Sequence, residues 1–153
     1  MTQDADTYQP ENGHDAAQVG VVLVTHTEYG ASLLKAAEFI MGTEQSCAFV
    51  SVDGTLEVDR VVQTLRAAVE QQDKGSGILI LTDMFGGTPT NIGLSLLGRY
   101  HLEVLTGVNL PMLLKVLGSR SMPLETLAAE AKTAGGHGIV LAGELLRRKI
   151  DEH

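Results

Sequence analysis

A single cysteine, Cys47, among 153 residues excludes a disulfide framework and any multi-cysteine metal site. Basic runs are also missing. The formal net charge is -8, and the one short cluster, Arg147-Arg148-Lys149, is mixed with acids. Nucleic acid and anionic membrane surfaces, which both need clustered Lys and Arg, are therefore not the expected partners. No apolar run approaches membrane-spanning length. The amino terminus is acidic and polar where a secretory signal would be basic and then apolar, so a cytoplasmic protein is expected. No G-x-S-x-G elbow marks a serine hydrolase. No second histidine stands at helical spacing from another to build a metal centre, which leaves His26, Asp83 and Glu28 as an incomplete ligand set. Internal repeats and low-complexity segments are absent.

What remains is 44% hydrophobic, enough for one domain with a substantial core. Residues 1–18 carry no apolar periodicity and are expected to form a disordered acidic tail. From Val19 onward, strand and helix signals alternate. Val19 to Thr25 is a continuous β-branched run, as in a parallel strand buried on both faces. Helical spacing follows in Leu33, Leu34, Ala37, Phe39 and Ile40, with Gly42 as a stop. Further strands are expected over 47–52, 77–82 and 102–106, with helices from Leu56 to Gln72, Pro89 to Leu97, Pro111 to Leu117 and Leu124 to Ala134. Gly135-Gly136 reads as the last stop. Residues Ile139 to Ala142 fit either a short fifth strand or the start of a last helix.

This alternation predicts an α/β fold, a doubly wound three-layer sandwich with a parallel sheet of order 2-1-3-4. In that order the first and third strands are neighbours whose helices leave on opposite faces. A crevice opens at their carboxyl ends, where ligands bind. His26 follows the first strand and Asp83 ends the third, so the topology alone predicts that imidazole and carboxylate meet.

The stretch Leu81-Thr82-Asp83-Met84-Phe85-Gly86-Gly87-Thr88-Pro89-Thr90-Asn91 supplies the rest of the candidate site. Its glycines allow a tight turn and a close approach, Thr88 reads as a helix cap, and Pro89 suits the first helical position. Backbone N–H groups and the Thr88 hydroxyl form a seat for an anion. A carboxylate holding one imidazole nitrogen leaves the other as a nucleophile, base or ligand. Beside an anion seat, phosphoryl capture is the reading that fits. Met84 and Phe85 form either a partner contact or part of the domain's own core. Asn109 and Pro111 are expected at the wall of the site. Rival readings have weaker support. A receiver domain needs an acidic pair after the first strand, where Thr25-His26-Thr27 stands. A flavin or nucleotide module needs a better phosphate cradle than Thr27-Glu28-Tyr29.

Three blocks, Val24-Thr25-His26, Leu81 to Asn91 and Thr106-Gly107-Val108-Asn109-Leu110-Pro111-Met112-Leu113, resemble the mannose-type enzyme IIA domain of the bacterial sugar phosphotransferase system. The resemblance implies a phosphocarrier domain over residues 19–148 that needs no metal or other cofactor. His26 matches the family's phosphoryl acceptor, Asp83 the aspartate bonded to it, and Gly86, Gly87 and Thr88 the phosphoryl-binding loop. HPr is the implied donor and a separate enzyme IIB the implied acceptor, in transport or in a regulatory relay. The family further implies a homodimer that exchanges a carboxyl-terminal edge strand, here Ile139 to Ala142. One departure stands beside the acceptor: the family's histidine is often followed by glycine, and here by Thr27, which is expected to narrow the approach to the site.

Overall fold

The computed structural model describes residues 17–152; of the expected tail, residues 1–16 lie outside that range. The elements in chain order are β1 (Gly20–His26), α1 (Tyr29–Met41), β2 (Ala48–Val52), α2 (Val58–Gln72), β3 (Ile78–Thr82), α3 (Thr88–Leu94), β4 (Leu102–Thr106), α4 (Leu110–Gly118), α5 (Leu124–His137) and α6 (Ala142–Asp151). The four strands form one parallel sheet of order β2-β1-β3-β4. In register, Val24 pairs with Thr82 and His26 with Val52.

Strand side chains alternate between faces, and this divides the core in two. Val19, Val21, Leu23, Leu79 and Leu81 meet α4 and α5 through Leu113, Val116, Leu127 and Ala131. Val22, Val24, Ile78 and Ile80 meet α2 through Val61 and Leu65, α3 through Ile92, and the turn after α3 through Leu96. Because β1 and β3 are covered from both sides, their sequences are apolar without alternation. Ala37 of α1 lies on the first face and that of Val69 of α2 on the second, so the chain reverses its winding between β1 and β3.

Several expectations need correction. Phe39 and Ile40 are 88% and 57% exposed. Phe39 stands about 200° around the helix from buried Ala37, given roughly 100° per residue. The Gly135-Gly136 pair does not stop α5, which runs on to His137. Gly135 is instead a close-packing position, since a Cβ there would lie 2.8 Å from Met112 Cε. α3 ends at Leu94, short of the expected Leu97. Ile139, Val140 and Leu141 pair with no strand among the described residues, and Ala142 starts α6.

Outside the motifs, Arg120 is almost wholly buried yet faces carbonyls. Its Nε donates to Val19 O at 2.8 Å and its Nη1 to Ser46 O at 3.0 Å, tying the start of β1 to the approach of β2. Cys47, half-buried close by, has its thiol pushed up to about 11 by burial, against the nearby Arg120 charge, which lowers it.

Candidate functional site

β1 delivers His26 as its last residue, and Asp83 is the first residue beyond β3. Because Val24 and Thr82 are register partners, residues 26 and 83 emerge side by side at the carboxyl edge of the sheet. His26 Nδ1 lies 2.7 Å from Asp83 Oδ2, and the His26 backbone N–H donates to the same oxygen at 3.0 Å. Asp83 Oδ1 accepts from the Met84 N–H at 3.1 Å. Both carboxylate oxygens are thus occupied, and the imidazole is held at its backbone and its ring. Nε2 is left without a partner among the described residues, on a side chain 45% exposed. Burial pushes the Asp83 carboxyl up, but the two His26 hydrogen bonds and the His26 charge outweigh it, and the group titrates below its ordinary range. The carboxylate is therefore ionised at neutral pH, which favours the Nδ1–H tautomer and presents the Nε2 lone pair outward.

The ring borders a hollow of about 340 Å³ lined by residues that include Val52, Asp53, Leu56, Val58 and Thr88. Thr88 is the first residue of α3 and Gly87 its cap position, so Pro89 falls one place further in than expected. The Thr88 hydroxyl makes no capping bond. It was expected as a helix cap, and the helix start does not use it, because Gly87 occupies the position from which a side chain could reach back. Gly87 sits against the imidazole: a Cβ there would lie 3.1 Å from His26 Cε1 and 3.6 Å from Nε2. Gly86 makes the preceding turn at φ +82. Met84 and Phe85 are 55% and 78% exposed, which removes the reading that they pack into the domain's own core.

Asn109 and Pro111 do not line this hollow. Asn109 caps α4, accepting from the Met112 N–H at 3.0 Å, and its Nδ2 donates to Gly135 O at 3.0 Å. Thr27 does not line it either. Its departure from glycine has a backbone consequence instead: Thr27 adopts φ +47, a left-handed conformation that β-branched residues rarely occupy.

Buried threonines within the motif blocks, read in the sequence without any role, fasten the surrounding loops. Thr25 Oγ1 accepts from the Gly30 N–H at 2.8 Å at the start of α1. Thr90 Oγ1 donates to Met84 O at 2.6 Å and lies 2.7 Å from Thr82 Oγ1. The loop after β4 is tied in by Val108 N–H to Thr82 O at 2.9 Å and by the Tyr29 hydroxyl to Val108 O at 3.0 Å. Among the described residues no group of three or more acidic, His or Cys side chains is placed to hold a metal ion, and no helix is long and apolar enough to cross a membrane.

A doubly wound 2-1-3-4 sheet with a histidine–aspartate couple at its switch point defines the structural class. Residues 20–132 match the family model described as the phosphotransferase-system fructose IIA component, and the chain belongs to that family. The mannose-specific EIIAB component of Escherichia coli (strain K12) is 28% identical over 124 residues, covering 79% of this chain and 38% of that protein. The chain thus spans about two fifths of that relative's length. The fructose-specific EIIA component of Bacillus subtilis (strain 168) is 25% identical over 132 residues, covering 85% of this chain and 90% of that one. Among solved structures, component EIIA from Streptococcus agalactiae superposes with a TM-score of 0.75 at 27% identity, covering 82% of this chain and 98% of that chain.

Proposed function

We propose that this enzyme IIA component carries a phosphoryl group on Nε2 of His26, taking it from the phosphohistidine of HPr and passing it to a histidine of enzyme IIB. The observation that carries this reading is the 2.7 Å contact between Nδ1 and a carboxylate whose every other hydrogen bond also serves the site. In the forward step the donor's N–P bond breaks and its electron pair returns to the donor imidazole. The Nε2 lone pair forms the new N–P bond, and Nδ1 keeps its proton. The acceptor ring becomes cationic, and Asp83 stabilises that charge. Gly86, Gly87 and Thr88 bind the transferring oxygens: the Thr88 hydroxyl and the N–H groups of Gly87 and Thr88 are not used within the fold. Donor and acceptor are both ring nitrogens, so neither metal nor cofactor is needed.

Met84 and Phe85 stand beside the loop as exposed apolar side chains, suited to a shared contact for both protein partners. The reading also includes a homodimer in the cytoplasm. Ile139, Val140, Leu141, Leu145, Leu146 and Ile150 are each more than half exposed, an apolar surface that a second copy would cover.

Incubation with phosphoenolpyruvate, enzyme I and HPr, followed by mapping of the phosphate, tests the assignment. A phosphate that survives alkali and maps to His26 is expected, absent from His26→Ala. Alkali-labile phosphate on a carboxylate would refute it.

A further inference from the structure

Thr82 and Thr90 are both wholly buried, and their hydroxyl oxygens lie 2.7 Å apart. A carbonyl only accepts, so the single Thr90 proton goes to Met84 O at 2.6 Å. The proton between the two hydroxyls is then that of Thr82. The direction of the chain is fixed: Thr82 to Thr90 to the Met84 carbonyl. On its other side the same residue's N–H holds Asp83 Oδ1, while Oδ2 holds His26. The Met84 side chain is more than half exposed and gives its backbone little anchorage. The Met84 backbone is therefore held from beneath by Thr90, and the carboxylate leans on that backbone.

We propose that Thr90 is a positioning residue for phosphoryl uptake at His26, acting through the Met84 backbone on the Asp83 carboxylate. The proposal rests on His26 being the acceptor. Without the Thr90 hydroxyl the peptide between Met84 and Phe85 is released, and the Met84 φ and ψ relax with it. The Met84 N–H turns off Oδ1, and the carboxylate turns away from Nδ1. The imidazole then samples both tautomers, and only one of them presents a lone pair at Nε2.

Thr90→Val keeps the side-chain shape and removes the hydroxyl. Expected are a fall in the Nδ1–H tautomer of His26, read by ¹⁵N NMR of the unphosphorylated protein where the ring is neutral, and uptake from phospho-HPr slowed about tenfold. That is less than the roughly 10²-fold that a fixed 1 Å misplacement can cost. Thr90→Ser restores both. Thr82→Val separates positioning from stability, because it deletes the same buried Oγ–Oγ bond but leaves Thr90 donating to Met84. It should lose stability through that one bond, against two in Thr90→Val, and keep the wild-type tautomer and rate. Wild-type tautomer and uptake in Thr90→Val would overturn the proposal, as would a Thr82→Val variant with the full Thr90→Val loss. If the wild-type protein takes up no phosphoryl group, the assignment of His26 fails instead, a result distinct from an unchanged Thr90→Val.

Discussion

Gly87→Ala separates the stability of this fold from its chemistry. The backbone at residue 87 has φ -88 and ψ 169, a conformation that alanine adopts without strain. Restricting the unfolded chain favours folding by about 0.4–1 kcal/mol, and losing glycine at the cap position of α3 costs a similar amount, so stability should change little. In a chain of this size, where each kcal/mol moves Tm by roughly 2–4 °C, the net shift should stay within about 2 °C. The new methyl meets His26 Cε1 at 3.1 Å and Nε2 at 3.6 Å. Carbon pairs prefer about 3.5–4.0 Å, so the ring must retreat by a few tenths of an ångström. Retreat strains the 2.7 Å bond to Asp83, and the methyl fills the space beside Nε2 through which, on the proposed function, a phosphoryl group arrives. Uptake from phospho-HPr, quenched in alkali and quantified as protein-bound phosphate, should fall about 10²-fold with calorimetric Tm within about 2 °C of wild type. A variant that takes up phosphate within a factor of about two of wild type would refute the assigned direction of approach, since a blocked path cannot carry that flux.

Four further outcomes follow from the geometry. Arg120→Met removes two hydrogen bonds from a buried cation to Val19 O and Ser46 O, and should cost about 2–3 kcal/mol in urea unfolding. Thr27→Asn keeps a side chain at φ +47 but removes β-branching where the left-handed region penalises it, so the urea midpoint should rise by the equivalent of roughly 0.5–1 kcal/mol at constant m-value. With its thiol pushed up to about 11, Cys47 should alkylate slowly at pH 8, because only about one thiol in 10³ is ionised. Asp83 titrates lower in the folded protein than in the unfolded one, so its contribution to stability is present above its ordinary value of 3.8 and is lost as pH falls through that value and the folded pKa below it. Urea midpoints measured from about pH 5 downward should show that acid slope in wild type and a flatter curve in Asp83→Asn.

The sheet was legible because its strands are short apolar runs separated by helical periodicity. Its order follows from crossover handedness and the common doubly wound arrangement. The meeting of His26 with Asp83 was legible for the same reason, since it needs only the adjacency of two strand ends. The hydroxyl network was not. Thr25, Thr82 and Thr90 stand within the motif blocks, but their spacing does not show what their hydroxyls bond, and only the folded backbone brings a carbonyl or an N–H within reach. Arg120 left no trace because carbonyl oxygens, unlike carboxylates, have no sequence signature. The Gly135-Gly136 pair misled for a related reason. A glycine that lets two helices approach reads the same as one that ends a helix, until the neighbour, Met112, is known.

The two members of the couple lie 57 positions apart. As the polypeptide leaves the ribosome, the imidazole emerges first and has no partner until the strand preceding residue 83 has followed and docked. A nascent or truncated product that stops short of that point has the histidine but not its orienting group. On the proposed function, competence for phosphoryl uptake therefore waits until β3 has docked beside β1.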